Sequence, residues 1–291
     1  MTDRPKKKSY FTPRDPKVPR PKPGGARAPR LSERPKLGIF TTTLWEYPSQ
    51  HYTSERPLTP EEVAEGRTRF MQGDKNYTGA TPSWVIWQLL KRYTKEGDTV
   101  VDPMCGSGTT LDVARDLHRK GLGFDLAPSR PDIRQADARS LPVPSGSVDF
   151  AFIDPPYSTH VDYSDDPRCI GRLDAGGEDG GDAYYEAMTR VLHELHRVLR
   201  PGGYLGLYVS DSWRKRRGGA AGEGTFMAIG FELFAILRRG FVPVDIIAVV
   251  RHNQKLGYGN WHKAAEENNF FLRGFNYLII MRKPGERRNE R

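Results

Sequence analysis

Cysteine is scarce in this chain: Cys105 and Cys169 are the only two among 291 residues. Two thiols build neither a disulfide framework nor a cysteine-ligated metal site. His252 and His262 have no carboxylate or cysteine partners at ligand spacing, so they read as polar loop residues and no metal is expected. No apolar run approaches the ~18 residues of a membrane span. The N-terminus also lacks the apolar core of a signal peptide. A soluble, cytoplasmic protein without membrane partners is the expectation. There is no evident internal repeat.

Aliphatic side chains are nearly missing from residues 1–36. That stretch holds eight of the 23 prolines, twelve Lys/Arg and three Asp/Glu, so the whole formal charge of +9 lies there and the remainder is neutral. Residues 1–36 therefore read as a disordered basic arm, unable to bury enough surface to offset its ordering entropy. Such an arm either contacts phosphates through counterion release or serves as a solubilising tail. Residues 37–283 read as one domain and 284–291 as a short basic tail.

Within 37–283 strand and helix patterns alternate. An irregular stretch to Thr81, with Trp45, Tyr47, Tyr52 and Tyr77, contains a helical turn or two near Glu61. Pro82 opens a helix over 83–93. Short strands are expected at 99–101, 121–125, 132–134, 148–153, 204–209, 242–250 and 276–281. Helices are expected at 109–119, 183–199 and 225–238, with Pro201-Gly202-Gly203 as a stop signal. Residues 158–181 read as a mobile polar loop and Trp213 to Gly219 as a basic loop. This alternation predicts an α/β, doubly wound, mostly parallel sheet of seven strands, with ligands beyond the carboxyl ends of the strands.

The most telling loop is Asp154-Pro155-Pro156-Tyr157, after the strand 148–153. Two successive prolines donate no N–H, so the ladder must end there. What remains is stiff backbone carrying a carboxylate, freed carbonyls and an aromatic ring. Those groups suit a flat, amine-bearing ring, although Asp-Pro and Pro-Pro also mark ordinary turns. Upstream, Asp102-Pro103-Met104-Cys105-Gly106-Ser107-Gly108-Thr109-Thr110 links the first strand to the helix at 109. Gly106 and Gly108 permit close backbone approach, and the helix N-terminus offers free N–H groups. The loop has no lysine of the kind a triphosphate-binding loop requires. Asp125, ending the next strand, is placed either to accept from ribose hydroxyls or to cap a turn. Asp137 either accepts from an adenine amino group or caps a turn. Thr81-Pro82 either cap the helix behind them or contact a cofactor.

Taken together, Asp102-Pro103, Gly106-Ser107-Gly108-Thr109-Thr110, Asp125 and Asp154-Pro155-Pro156-Tyr157 resemble the N4-cytosine/N6-adenine amino-methyltransferase family, over roughly residues 75 to 283. The resemblance implies a Rossmann-like methyltransferase sheet and S-adenosylmethionine as cofactor. It implies cofactor contacts from Thr81, Pro82, Asp102, Pro103, Cys105, Gly106, Gly108, Thr109, Asp125 and Asp137, with Cys105 packing rather than attacking. It implies that Asp154 and a proline carbonyl hold the target amine while Tyr157 stacks on the base. The expected partner is nucleic acid, DNA before RNA, with adenine N6 before cytosine N4; methylation of structured RNA such as ribosomal RNA is the alternative, and a catalytically inactive nucleic-acid-binding relative the lesser one. The glycine loop precedes the Pro-Pro-Tyr loop, unlike the permuted order of many relatives. Room for target recognition is small: 158–182 and 251–268. The second mixes cations with aromatics, which suits backbone contact and base stacking on DNA or RNA alike.

Overall fold

The computed structural model describes residues 38–47, 49–64, 66–74, 77, 79–159, 161–215, 224–251, 259–267 and 269–285. All lie in the second of two units, Lys36–Arg291. The expected basic arm, residues 286–291 of the tail, and the loop residues 216–223 and 252–258 lie outside the described residues.

The elements run β1 (Leu44–Trp45), α1 (Pro60–Ala64), α2 (Ser83–Tyr93), β2 (Thr99–Asp102), α3 (Thr109–Asp116), β3 (Lys120–Asp125), β4 (Ile133–Gln135), β5 (Val148–Ile153), a 3-10 turn (Ile170–Arg172), α4 (Asp182–Val198), β6 (Leu199–Val209), β7 (Ser212–Lys215), β8 (Gly224–Met227), α5 (Ile229–Leu237), β9 (Val242–Val250), α6 (Gly259–Glu267) and β10 (Phe275–Arg282). Eight strands form one sheet in the order β1-β9-β10-β6-β5-β2-β3-β4, and β7 pairs with β8 separately. Only β10 runs antiparallel to its neighbours β6 and β9. The order turns back at β2, which pairs with β3 on one side and β5 on the other. The crevice beyond the ends of β2 and β5 is thus the topological switch point.

Alternation along the strands divides the core in two. One layer packs Val101, Ala151, Ile153, Leu205 and Leu207 against Met188, Leu192 and Leu195 of α4 and Leu233 of α5. The other packs Val100, Phe150, Phe152, Leu278 and Ile280 against α2, Val113 and Ala114 of α3, and Trp45, Tyr47 and Tyr52. Helix α2 is buried over eight consecutive residues, Ser83 to Leu90, because the sheet covers one side and the segment before it covers the other. Its buried Gln88 is satisfied: Oε1 accepts from Phe40 N–H at 2.9 Å and Nε2 donates to the Gly38 carbonyl at 2.6 Å.

Several expectations need correction. The sheet has eight strands, because the two-residue β1 adds parallel to β9; a strand so short carries no periodicity. Strand β6 starts at Leu199 rather than Tyr204. Its register jumps from Val148↔Leu199 to Phe150↔Tyr204, so Pro201-Gly202-Gly203 bulge within the strand rather than precede it. Helix α5 starts at Ile229, since residues 224–227 instead pair with 212–215; the loop expected from Trp213 is therefore a strand to Lys215. Residues 158–181 are not a free loop. Cys169, Ile170 and Ala175 are buried in the segment. Ser158 Oγ donates to Asp174 Oδ1 at 3.1 Å and accepts from Ala175 N–H at 3.0 Å.

Candidate active site

A cavity of about 660 Å³ opens at the switch point. Asp102, Pro103, Cys105, Gly106 and Thr109 line it from the β2–α3 turn, Asp125 from the end of β3, Asp137 from beyond β4, Asp154, Pro156 and Tyr157 from beyond β5, and Thr81 from ahead of α2. The structure thus gathers eleven of the fourteen anticipated residues around one space. Pro82, Gly108 and Pro155 are not among its lining residues.

The β2–α3 turn owes its shape to its glycines. Gly106 has φ +47, and a Cβ there would lie 2.9 Å from the Tyr77 ring. Tyr77 therefore lies over the glycine loop as a strap. The chain leading to it is fastened by Asp74 N–H to the Ser107 carbonyl at 2.8 Å and by Gly73 N–H to Asp112 Oδ2 at 2.7 Å. Gly108 departs from the expected role. It has φ +78, and a Cβ there would meet the Arg130 guanidinium at 2.5 Å. That guanidinium grips Asp112 through two hydrogen bonds of 2.8 Å, so Gly108 makes room for a protein side chain, and its own N–H donates to the Cys105 carbonyl.

Carboxylates dominate the interior. Asp102 accepts from Thr110 Oγ1 at 2.5 Å and Met104 N–H at 3.1 Å. Burial raises it to about 7 despite those bonds, with Asp154 and Asp125 adding to the rise. Asp125 accepts from Gly106 N–H and Ala127 N–H, both at 3.0 Å, which fixes its two oxygens at the rim of the glycine loop. Asp137 is gripped by Arg139 at 2.9 and 2.6 Å; burial works against its ionisation, yet the Arg139 bonds hold it below the usual carboxylate range. It also caps the Arg139 N–H at 2.9 Å, as the turn alternative foresaw. Burial pushes the Cys105 thiol well up, which suits packing and disfavours a thiolate.

Beyond β5, Asp154 accepts from Thr81 Oγ1 and from the Tyr157 hydroxyl, each at 2.5 Å. Burial raises Asp154 to about 6 against both bonds. The Tyr157 ring is therefore oriented by the carboxylate beside it. The Pro156 carbonyl accepts from the buried Tyr184 hydroxyl at 2.8 Å. Of the two prolines, Pro156 borders the cavity and Pro155 does not; the Pro156 carbonyl keeps a second lone pair beside the Tyr184 bond.

Sequence reasoning missed much of the outer wall. Tyr163, Arg168, Asp211, Trp213, Arg251, Trp261 and Arg273 also border the cavity. They come from separate segments; the insertions 158–182 and 251–268 and the basic stretch from Trp213 pointed to this region, without singling out Tyr163, Arg168 or Asp211.

A mostly parallel sheet with one reversed strand, and a glycine turn and an Asp-Pro-Pro-Tyr loop facing each other at its switch point, is the architecture of a Rossmann-like methyltransferase. The sequence profile of the DNA methylase family, the N6/N4 methyltransferases, matches residues 4–135 and 148–290. The chain belongs to that family, whose methyl donor is S-adenosylmethionine. Among curated proteins it is similar to the U6 snRNA (guanine-N(2))-methyltransferase THUMPD2 of Bos taurus, 31% identical over 170 residues, covering 52% of this chain and 29% of that protein. It is also similar to the type II methyltransferase M2.DpnII of Streptococcus pneumoniae, 43% identical over 44 residues, or 15% of this chain and 16% of that protein. The matches thus span less than a third of the length of these relatives. Among solved structures, the DNA modification methylase-like protein TTHA0409 of Thermus thermophilus, complexed with S-adenosyl-L-methionine, aligns with a TM-score of 0.37 at 21% identity, covering 54% of this chain and 56% of that one.

The donor set fits this cofactor. Asp102, Asp125 and Asp154 face one cavity, and their mutual repulsion helps raise Asp102. A ligand carrying a sulfonium and an ammonium relieves that repulsion, whereas a nucleoside phosphate would worsen it.

Proposed function

We propose that the protein transfers a methyl group to the exocyclic amine of a nucleic-acid base, with adenine N6 in DNA as the favoured acceptor and cytosine N4 as its variant. The observation that carries this reading is Asp154, held by Thr81 and Tyr157 at 2.5 Å each on the cavity shared with Gly106 and Asp125.

An exocyclic amine is a weak nucleophile because its lone pair is delocalised into the ring. Asp154 and a proline carbonyl of the same loop accept its two protons, which favours a pyramidal nitrogen with its lone pair free. The bound S-adenosylmethionine supplies an electrophilic methyl on a sulfonium. On the cofactor side, Asp125 accepts from the ribose hydroxyls and the Gly106 turn receives the amino-acid end. Asp102 supports that turn through Met104 and Thr110. As the nitrogen–methyl bond formed, the sulfur–methyl bond would break to leave a neutral thioether, and the amine, made cationic, would shed one proton. Asp154, at about 6, is matched to stabilise that charge and take the proton. Positioning and fixed charge supply the acceleration, without a covalent enzyme intermediate. A base in a duplex must first leave its stack to reach Asp154.

A second reading keeps the chemistry and changes the polymer to structured RNA. It is favoured by the similarity to THUMPD2, which acts on a guanine N2 amine in U6 snRNA. Incubation with labelled S-adenosylmethionine and DNA or RNA, followed by nucleoside mass spectrometry, tests both. A methylated base from DNA supports the first reading and one from RNA alone the second. No product from either, or an Asp154→Ala variant as active as the parent, overturns both.

A further inference from the structure

The mouth of the cavity differs chemically from its interior. Strands β7 and β8 pair with Trp213 directly opposite Phe226, so the two rings leave the hairpin on the same face. Both rings are met by the segment preceding β10. Phe270 stacks on Trp213 with centroids 6.1 Å apart and planes 23° from parallel. The Arg273 guanidinium lies 5.0 Å from the centre of the Phe226 ring. Trp213 and Arg273 both border the cavity, as does Arg251. Phe226 keeps 44% of its surface exposed, and Phe271, next in the chain to Phe270, 84%. Aromatic rings of this size are seldom left so open without a partner.

We propose that the wall of Trp213, Phe226, Phe270 and Arg273 is a platform for single-stranded nucleic acid, on which nucleotides flanking the methylated base stack. The partner class rests on the reading above, that the acceptor is a nucleic-acid base. The charge layout supports it: phosphates are repelled by Asp102, Asp125 and Asp154 and attracted by Arg273 beside the Phe226 ring. A strand can therefore send a neutral base inward while its backbone remains outside. The wall offers ring faces and guanidinium planes, which stack on unpaired bases of any sequence. Paired bases keep their faces covered by their neighbours, so a duplex has no open base faces to lay on these rings.

The test uses the full chain and fluorescein-labelled oligonucleotides of about 20 nucleotides: single-stranded DNA, the same sequence as RNA, and a blunt DNA duplex. Anisotropy titrations are run for the parent and for Phe226→Ala, Arg273→Gln and Trp213→Ala, with calorimetric S-adenosylmethionine binding as the control for folding. A single strand is expected to bind at least about fivefold tighter than the duplex, and each substitution to weaken strand binding by about fivefold or more. Cofactor affinity is expected to remain within about twofold. The tighter of the DNA and RNA strands identifies the sugar. Tighter duplex binding, or strand affinity unchanged in Phe226→Ala and Arg273→Gln, overturns the proposal. Those two substitutions alter the rim and keep the test decisive if Trp213→Ala fails to fold. Strand binding that the variants lose, in a protein that methylates nothing, would sink the catalytic reading and leave the platform standing. Methylation with variant-insensitive strand binding does the reverse.

Discussion

The two halves of the cavity are built by different means. The half proposed for the cofactor comes from strand ends and one tight turn: Asp102 and Asp125 end β2 and β3, Gly106 lies in the turn after β2, and backbone N–H groups fix the carboxylates. The half proposed for the acceptor is assembled from segments far apart in the chain, with Thr81, Tyr163, Trp213, Arg251 and Arg273 joining the Asp154 loop. The first half is rigid because the sheet dictates it. The second depends on side chains that meet only after folding, and so it is where substrate choice can vary without disturbing cofactor binding.

If the halves are separable, substitutions should divide cleanly between them. Asp154→Ala should lower kcat by about 10²–10³-fold while the dissociation constant for S-adenosylmethionine stays within about threefold. Loss of cofactor binding in that variant would break the comparison. The reverse is expected for Asp125→Ala: weaker cofactor binding by about ten- to a hundredfold, the worth of a charged hydrogen-bond acceptor, read by calorimetry. A smaller effect tests the turn itself. Gly108→Ala puts a side chain at φ +78 against Arg130 at 2.5 Å, whereas Gly146→Ala meets strain at φ +65 with no atom within 4 Å. Urea unfolding should show Gly108→Ala costing about 1–3 kcal/mol and Gly146→Ala clearly less; equal costs would remove Arg130 from the explanation.

The raised carboxyls give a prediction in pH. Asp154 at about 6 binds its proton more tightly in the folded protein than in the unfolded chain. Between roughly pH 4 and 6 the native state thus holds more protons, and stability falls as pH rises through that window. At neutral pH its ionisation costs on the order of 1–3 kcal/mol, so Asp154→Asn should melt a few degrees higher while losing activity. The parent's kcat should fall with acidification below about pH 6, when Asp154 no longer accepts both ways. A flat profile from pH 5 to 8 would separate Asp154 from the chemistry.

The smallest effect concerns the loop's support. Tyr184→Phe removes the hydroxyl on the Pro156 carbonyl and should cost about 1 kcal/mol of stability. It should also lower kcat more than it raises KM for cofactor.

Legibility in the sequence followed the same division. The strands leading to Asp102 and Asp154 stand out because each is a short apolar run that proline halts just beyond; β3, with two glycines and a lysine, is marked less by its run than by its place between them. Pro201-Gly202-Gly203 follows the end of α4 as expected, but a bulge lets β6 begin at Leu199 rather than Tyr204; Gly202 N–H, at φ +79, donates to the Lys283 carbonyl. Gly108 was assigned to the ligand because its neighbour in space, Arg130, lies far along the chain. The hairpin holding Trp213 escaped for a related reason. Its first strand ends in Arg214 and Lys215, the start of a cationic run that reads as solvated loop until the facing strand is known. Contacts between distant segments leave no periodicity to detect.

Strand β1 bears on how the molecule is made. Leu44 and Trp45 align with Ala248 and Val249, and the Ala248 N–H donates to the Thr43 carbonyl at 2.8 Å. An early segment of the chain thus finds its partner only after nearly all of the domain has been synthesised. Such late, long-range closure is slow. Until residues 242–250 are made, Leu44 and Trp45 have no strand to pair with, a window in which a chaperone would be most useful. Pulse-labelled hydrogen exchange should find the Ala248 amide protected after the amides of β5; simultaneous protection would rule out the delay.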